Sequence, residues 1–161
     1  MLFRSPDHIR CHEISKLAWE LSGDGEAYPE AGRPWAIKKL YYESIFNSER
    51  MVTVFETLQR IDPESPLIEQ FSGMLERFRM RPSDATARVE VGRFFERRDE
   101  ALRAHASQVA PDSSFFFWPN DLQREAWPFE DYRLAASRVA TSQFETDLFQ
   151  GIDDEPVPTA G

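Results

Sequence analysis

Two hydrophobic periods alternate along this chain, one marking helices and the other strands, and every element they mark is short. The helical period opens at Ser5-Pro6-Asp7, where a hydroxyl at the cap, a proline at the first helical position and an acid in the first turn form a start signal. Cys11, Ile14, Leu17 or Ala18, and Leu21 recur at helical spacing up to Gly23, which predicts a helix over 7–22. Residues 24–34, rich in glycine, proline and acid, predict a loop, and the aromatic and aliphatic run 35–42 a strand. Asn47 or Ser48 then caps a helix carrying Met51, Val52, Phe55 and Leu58 on one face and ended by Asp62-Pro63, and another helix spans about 66–79. At 86–91 the period changes: Ala87, Val89 and Val91 alternate with Thr86, Arg88 and Glu90, the pattern of a half-buried strand. From 93 to 109 the helical period returns, with Phe95, Leu102, Ala106 and Val109 on one face. The aromatic run 115–118, set between Pro111 and Pro119, reads as an ordered loop.

With 161 residues, 41% of them hydrophobic and 13% aromatic, the chain can build one core. The expected division is one domain over 1–152 and a disordered tail over 153–161, where Asp153, Asp154, Glu155, Pro156 and Pro158 gather. A formal charge of −9 argues against nucleic acid and against an anionic membrane surface as partner. No run approaches the roughly 18 apolar residues of a membrane span, and no charged segment followed by an apolar one opens the chain. Cys11 is the single cysteine, so no internal disulfide can form, and the composition as a whole reads as cytoplasmic.

The histidines are His8, His12 and His105. His8 and His12, four apart on one helix, stack on one face and have the spacing of a divalent-metal pair, although the bare spacing is found more often as a coincidence of surface and core positions. His105 and Gln108 lie three apart near the end of the 93–109 helix and share a face there; His105 equally reads as an edge of the apolar stripe. Trp35, Trp118 and Trp127 suit either a pocket wall or, more simply, core packing.

Pro6-Asp7-His8-Ile9-Arg10-Cys11-His12 resembles the second signature of the PIG-L/LmbE deacetylase family, a His-Pro-Asp-His motif followed by a helix. Further segments resemble the branch of that family that cleaves mycothiol S-conjugates, and they occur in the same order. They are Lys39-Leu40-Tyr41-Tyr42, Arg88-Val89, the run from Arg98-Asp99-Glu100-Ala101 through His105 to Gln108, Trp127-Pro128, and Glu145-Thr146-Asp147-Leu148-Phe149-Gln150-Gly151-Ile152. The resemblance implies the C-terminal part of an open, Rossmann-like α/β fold, with helices and a few strands, whose N-terminal sheet portion lies outside these residues.

It also implies a zinc-dependent amide hydrolase acting on a small thiol-sugar conjugate, with a deacetylase of N-acetyl sugars, or a non-catalytic fragment or half of a split protein, as alternatives. His8 matches a zinc ligand. Asp7 matches the aspartate that orients an assisting histidine, and Gln108 and His105 match a region on the substrate side. Two positions depart from the family pattern: Ser5 stands where the assisting histidine is expected, and Phe3 where a tyrosine is. No His-Pro-Asp-Asp motif occurs in the 161 residues, and in the family that motif supplies two zinc ligands and the general base. The expectation is therefore a chain that binds zinc weakly or not at all alone, is inactive alone, and is completed by an N-terminal portion.

Overall fold

The computed structural model describes residues 6–113, 116 and 118–152. It is mixed α/β, with five α-helices and a three-stranded antiparallel sheet among those residues. Ser5, Phe3 and the tail 153–161 lie outside the described residues. The described residues divide into two compact units, one of 6–41 with 134–141 and 151–152, the other drawn from 42–133 and 142–150.

In the first unit, helix α1 (Pro6–Leu21) follows the start signal and stops two residues before Gly23, close to the expected 7–22. Gly23 has φ 88°, and a Cβ there would sit 2.8 Å from the Cβ of Ala36, so both the turn and the close approach call for glycine. The last turn of α1 has no basic residue of its own. Arg138 supplies one from 116 residues away: its Nη1 donates to the carbonyl of Ser22 at 3.1 Å and its Nη2 to that of Trp19 at 2.6 Å. The guanidinium also donates to the Ile37 carbonyl at 3.2 Å and lies 4.4 Å from the Trp19 ring. A cation is thus fixed at the negative end of the helix. The rest of α1 is held far less: none of its residues is buried, and Ile9, Ile14 and Leu17 are 48%, 53% and 51% exposed.

The second unit contains a hydrophobic core. Helix α2 (Ser48–Ile61) starts where Asn47 Oδ1 accepts from the Glu49 amide at 3.0 Å, and its face buries Val54, Phe55 and Leu58. Helix α3 (Pro66–Arg79) packs back on it through Leu67 and Ile68. Val54 and Leu58 meet Leu122 and Trp127 in one buried cluster. Strand β1 (Lys39–Glu43) is shorter than the expected 35–42, and β2 (Ala87–Glu90) falls inside the expected 86–91.

The 93–109 helix is the element that differs most. A 3-10 turn (Gly92–Phe94) precedes helix α4 (Phe95–Ala104), because the amides of Val91 and Gly92 both donate to the Pro128 carbonyl, at 2.8 and 2.9 Å. At its other end, His105 Nδ1 bonds the Ala101 carbonyl at 2.8 Å, taking the acceptor that the His105 amide needs to continue the helix. That amide turns to Leu102 instead, at 3.1 Å, and the helix ends. Of the 115–118 loop, Phe116 and Trp118 are described, with Trp118 tilted 4.7 Å from Phe71.

Helix α5 (Asn120–Ala126) and strand β3 (Phe129–Ser137) complete the fold, neither expected from the sequence. The sheet order is β1-β3-β2, so the unexpected strand is the central one. Strands β2 and β3 pair antiparallel, from Ala87 opposite Tyr132 to Glu90 opposite Phe129. On its other side Ala87 forms a parallel bridge with Glu145.

Two substitutions check this account. Leu58→Ala, at a site 4% exposed, is expected to lower unfolding free energy by about 2–5 kcal/mol in a urea titration. Arg138→Ala is expected to cost about 1.5–3 kcal/mol and to reduce far-UV helicity, with no rescue by lysine, whose single ammonium cannot span the same carbonyls.

Candidate functional site

Asp7 and His8 occupy the first turn of α1 and His12 the next turn, all with exposed side chains, and Cys11 between them is exposed as well. A zinc site needs about three protein ligands with an open position. Among the described residues no group of three or more His, Cys, Asp or Glu side chains is arranged to hold a metal ion. His8 can offer one ligand, and the described residues do not fit a complete zinc site.

His105 and Gln108 lie in the other unit, in the turns that follow α4 and not on the helix itself. A carbonyl can only accept, so His105 presents the Nδ1–H tautomer to Ala101. The Gln108 amide donates to the His105 carbonyl at 2.8 Å, and both side chains are exposed. The two pairs of sequence candidates therefore sit on separate units. Of the tryptophans, Trp127 is core, Trp118 packs on Phe71, and Trp35 is 71% exposed.

The strongest polar chemistry lies at residues the sequence reading did not single out as a site. Asp131 on β3 has a fully buried side chain, and its two oxygens accept from Arg88 Nε and Trp127 Nε1, each at 2.8 Å. Arg88 also reaches Glu49 at 2.9 Å and lies 4.0 Å from the Trp127 ring centre, with Phe129 and Phe144 at 5.6 Å. Burial acts to lower the arginine pKa, but the bonds to Asp131 and Glu49 outweigh it and leave the guanidinium more firmly protonated than usual. At the next position of β3, the Tyr132 hydroxyl donates to Glu130 Oε2 at 2.8 Å. Burial first, then the bond to Glu130, raises the Tyr132 pKa above its ordinary 10.0.

A second network joins α2, α4 and α5. Gln123, 3% exposed, gives its Nε2 to the Trp118 carbonyl at 2.7 Å, so its Oε1 faces Arg50 and Arg98, each at 3.2 Å. Arg98 also binds Asp99 at 3.0 Å and Asn120 Oδ1 at 3.0 Å. A buried carboxylate on a strand violates the alternation used to find strands, which is why Asp131 gave no signal. Arg88 was legible as a polar strand position and Trp127 as a packing aromatic, and both as members of the motif series, but not as partners of a buried carboxylate.

Removing the buried carboxylate would leave Arg88 with only the exposed Glu49 and the buried Trp127 N–H with no acceptor. Asp131→Ala is accordingly expected to cost about 3–5 kcal/mol in denaturant unfolding, and a cost below about 1 kcal/mol would contradict the assignment. Tyr132 gives a pH signature: the folded state keeps a phenol proton that the unfolded chain releases, so stability should fall as pH rises above about 10. Thermal midpoints measured up the alkaline limb should show a shallower decline in Tyr132→Phe.

Comparison with known proteins finds named enzymes to which this chain is similar. It is 40% identical over 151 residues to a mycothiol S-conjugate amidase of Streptomyces coelicolor, covering 92% of this chain and 51% of that protein. It is 33% identical over 151 residues to 1D-myo-inositol 2-acetamido-2-deoxy-alpha-D-glucopyranoside deacetylase 1 of Frankia alni, covering 91% and 52%. A deacetylase of the same description from Geodermatophilus obscurus is 32% identical over 149 residues, covering 91% and 50%. The chain thus spans about half the length of the curated relatives it matches. No family model and no solved structure matches it. The resemblance read from the motifs holds: this chain is a relative of mycothiol S-conjugate amidase and of the inositol-sugar deacetylases.

Proposed function

From that kinship we propose that the chain is the C-terminal part, over residues 1–152, of a PIG-L/LmbE-like α/β amide hydrolase, with 153–161 as a tail. The proposed reaction is hydrolysis of the amide in mycothiol S-conjugates, releasing a mercapturic acid and glucosaminyl-inositol in a cytoplasmic thiol-detoxification role. The observation that carries the choice of amidase is the identity itself: 40% to the amidase against 33% and 32% to the deacetylases over a similar span. Deacetylation of an N-acetyl amino sugar is the second reading, favoured by the number of deacetylases among the relatives.

His8 is assigned as one zinc ligand and Asp7 as the group that orients its surroundings at the start of α1. Gln108, with an amide that both donates and accepts, and His105 are assigned to hold polar groups of the conjugate. The remaining ligands and the general base belong to a complementary N-terminal portion, since the sequence has no His-Pro-Asp-Asp motif. The exposed Ile14 and Leu17 of α1 support that reading, because fully burying a side chain of this size stabilises a fold by roughly 1.5–3 kcal/mol and here that burial is not realised within the described residues. No helix among the described residues is long and apolar enough to cross a membrane.

The test has two arms. Dialysed chain should hold well under one zinc per molecule by metal analysis and should not turn over a mycothiol conjugate. Mixed with a polypeptide carrying the N-terminal half of the Streptomyces coelicolor relative, it should gain zinc and activity, and His8→Ala in the mixture should remove at least about 10²-fold of the rate. One tightly held zinc per isolated chain, lost in His8→Ala, would overturn the proposal. Release of acetate in place of a mercapturic acid would select the deacetylase reading.

A further inference from the structure

Arg50 is the half-buried cation in the second unit whose charge is least answered. Its one hydrogen bond among the described residues runs from Nη2 to Gln123 Oε1, a neutral acceptor, at 3.2 Å. No carboxylate of the described residues lies within ion-pair distance of it. Arg88, also half-buried, has two, at 2.8 and 2.9 Å. The contrast is sharper in a chain where acidic residues outnumber basic ones by 28 to 19.

A second guanidinium adds to the imbalance. Arg98 Nη1 donates to the same Gln123 oxygen, also at 3.2 Å, which brings the two cations within two hydrogen-bond lengths of each other. Gln123 cannot turn away to relieve them, because its amide nitrogen is spent on the Trp118 carbonyl at 2.7 Å. Asp99 answers the charge of Arg98, at 3.0 Å, and Asp99 is in turn held by Asn120 Nδ2 at 3.0 Å. That leaves the charge of Arg50 uncompensated at close range. Burial and then the neighbouring Arg98 hold its pKa below the ordinary arginine value, against the longer-range pull of Asp131, Glu130 and Glu43. A guanidinium has five N–H donors in a planar fork, and Arg50 gives one of them to the protein. Such a fork matches the paired oxygens of a carboxylate or phosphate, and the matching bonds are charge-assisted.

We propose that Arg50, with Arg98 beside it, forms a binding site for a small oxyanion, a carboxylate or a phosphate, held by the four Arg50 donors not given to Gln123 and by the one Arg98 Nη1–H left over from Asp99, Asn120 and Gln123. Gln123 acts as the spacer that keeps the two cations convergent. The site lies wholly within the second unit and depends on neither the zinc assignment nor the hydrolase reading.

The test is isothermal titration of the full chain, in a buffer free of both anions, with inorganic phosphate, sodium acetate or sodium chloride at constant ionic strength. Saturable binding of phosphate or acetate, but not of chloride, is expected, and whichever is bound more tightly names the oxyanion. Arg50→Gln should weaken it at least about tenfold, while Arg81→Gln, a charge loss outside this network, should leave it unchanged. If Arg50→Gln does not fold by circular dichroism, Arg50→Lys serves: the charge remains and the fork is lost, so affinity should still fall. No saturable binding by the unaltered chain, or equal affinity in the folded Arg50 variant, would overturn the proposal.

Discussion

The carboxylate of Asp131 is the constraint on which the second unit depends. It is fully buried, and an ionised group in that position is tolerable only when paired and hydrogen-bonded. Arg88 and Trp127 meet that demand from two different elements, and each is fixed by doing so. Arg88 is drawn across the β2–β3 ladder, which sets the register that brings Ala87 opposite Tyr132. Trp127 is drawn to the corner between α5 and β3, where its ring reaches Val54, Leu58 and Leu122. The backbone carbonyl of Asp131 accepts from Ser44 at 2.8 Å, so the same residue also positions the approach to α2. One charge thus links strand pairing to core packing.

Among the described residues the first unit has no comparable centre. Its helix is fixed at one end, where Arg138 gathers the carbonyls of Trp19, Ser22 and Ile37, and is exposed along the apolar face that the sequence pattern marks out. Helices in proteins take most of their stability from packing an apolar face, and this 16-residue helix buries none of its residues. The chain spans about half the length of its relatives, and Ile14 and Leu17 on that apolar face are exposed.

Helices α1 and α2 were legible in the sequence because their end signals and apolar spacing agree with one another, and α3 falls on the expected 66–79. The 93–109 segment was legible as a helix but not in its bounds. Its ends are set by Pro128 and by the His105 ring, a tertiary contact and a side-chain competitor that apolar spacing does not register. Strand β3 escaped because its inward positions include Asp131, a charged residue that reads as solvent-facing until Arg88 and Trp127 are placed beside it. The candidate site residues were read in a different way. Asp7, His8, His105 and Gln108 came from ordered motifs, whereas the Arg50–Gln123–Arg98 convergence joins residues 25 and 73 positions apart and has no local signature.

Hydrogen exchange of the isolated full chain, followed peptide by peptide, tests most directly whether one unit carries its own core while the other lacks cover. Amides of α2, α5 and the β2–β3 ladder should be the slowest to exchange, with α1 opening at least about 10²-fold more readily despite its cap at Arg138. Protection of α1 equal to that of α2 would contradict the account, because it would mean that the helix is already buried by the chain as it stands.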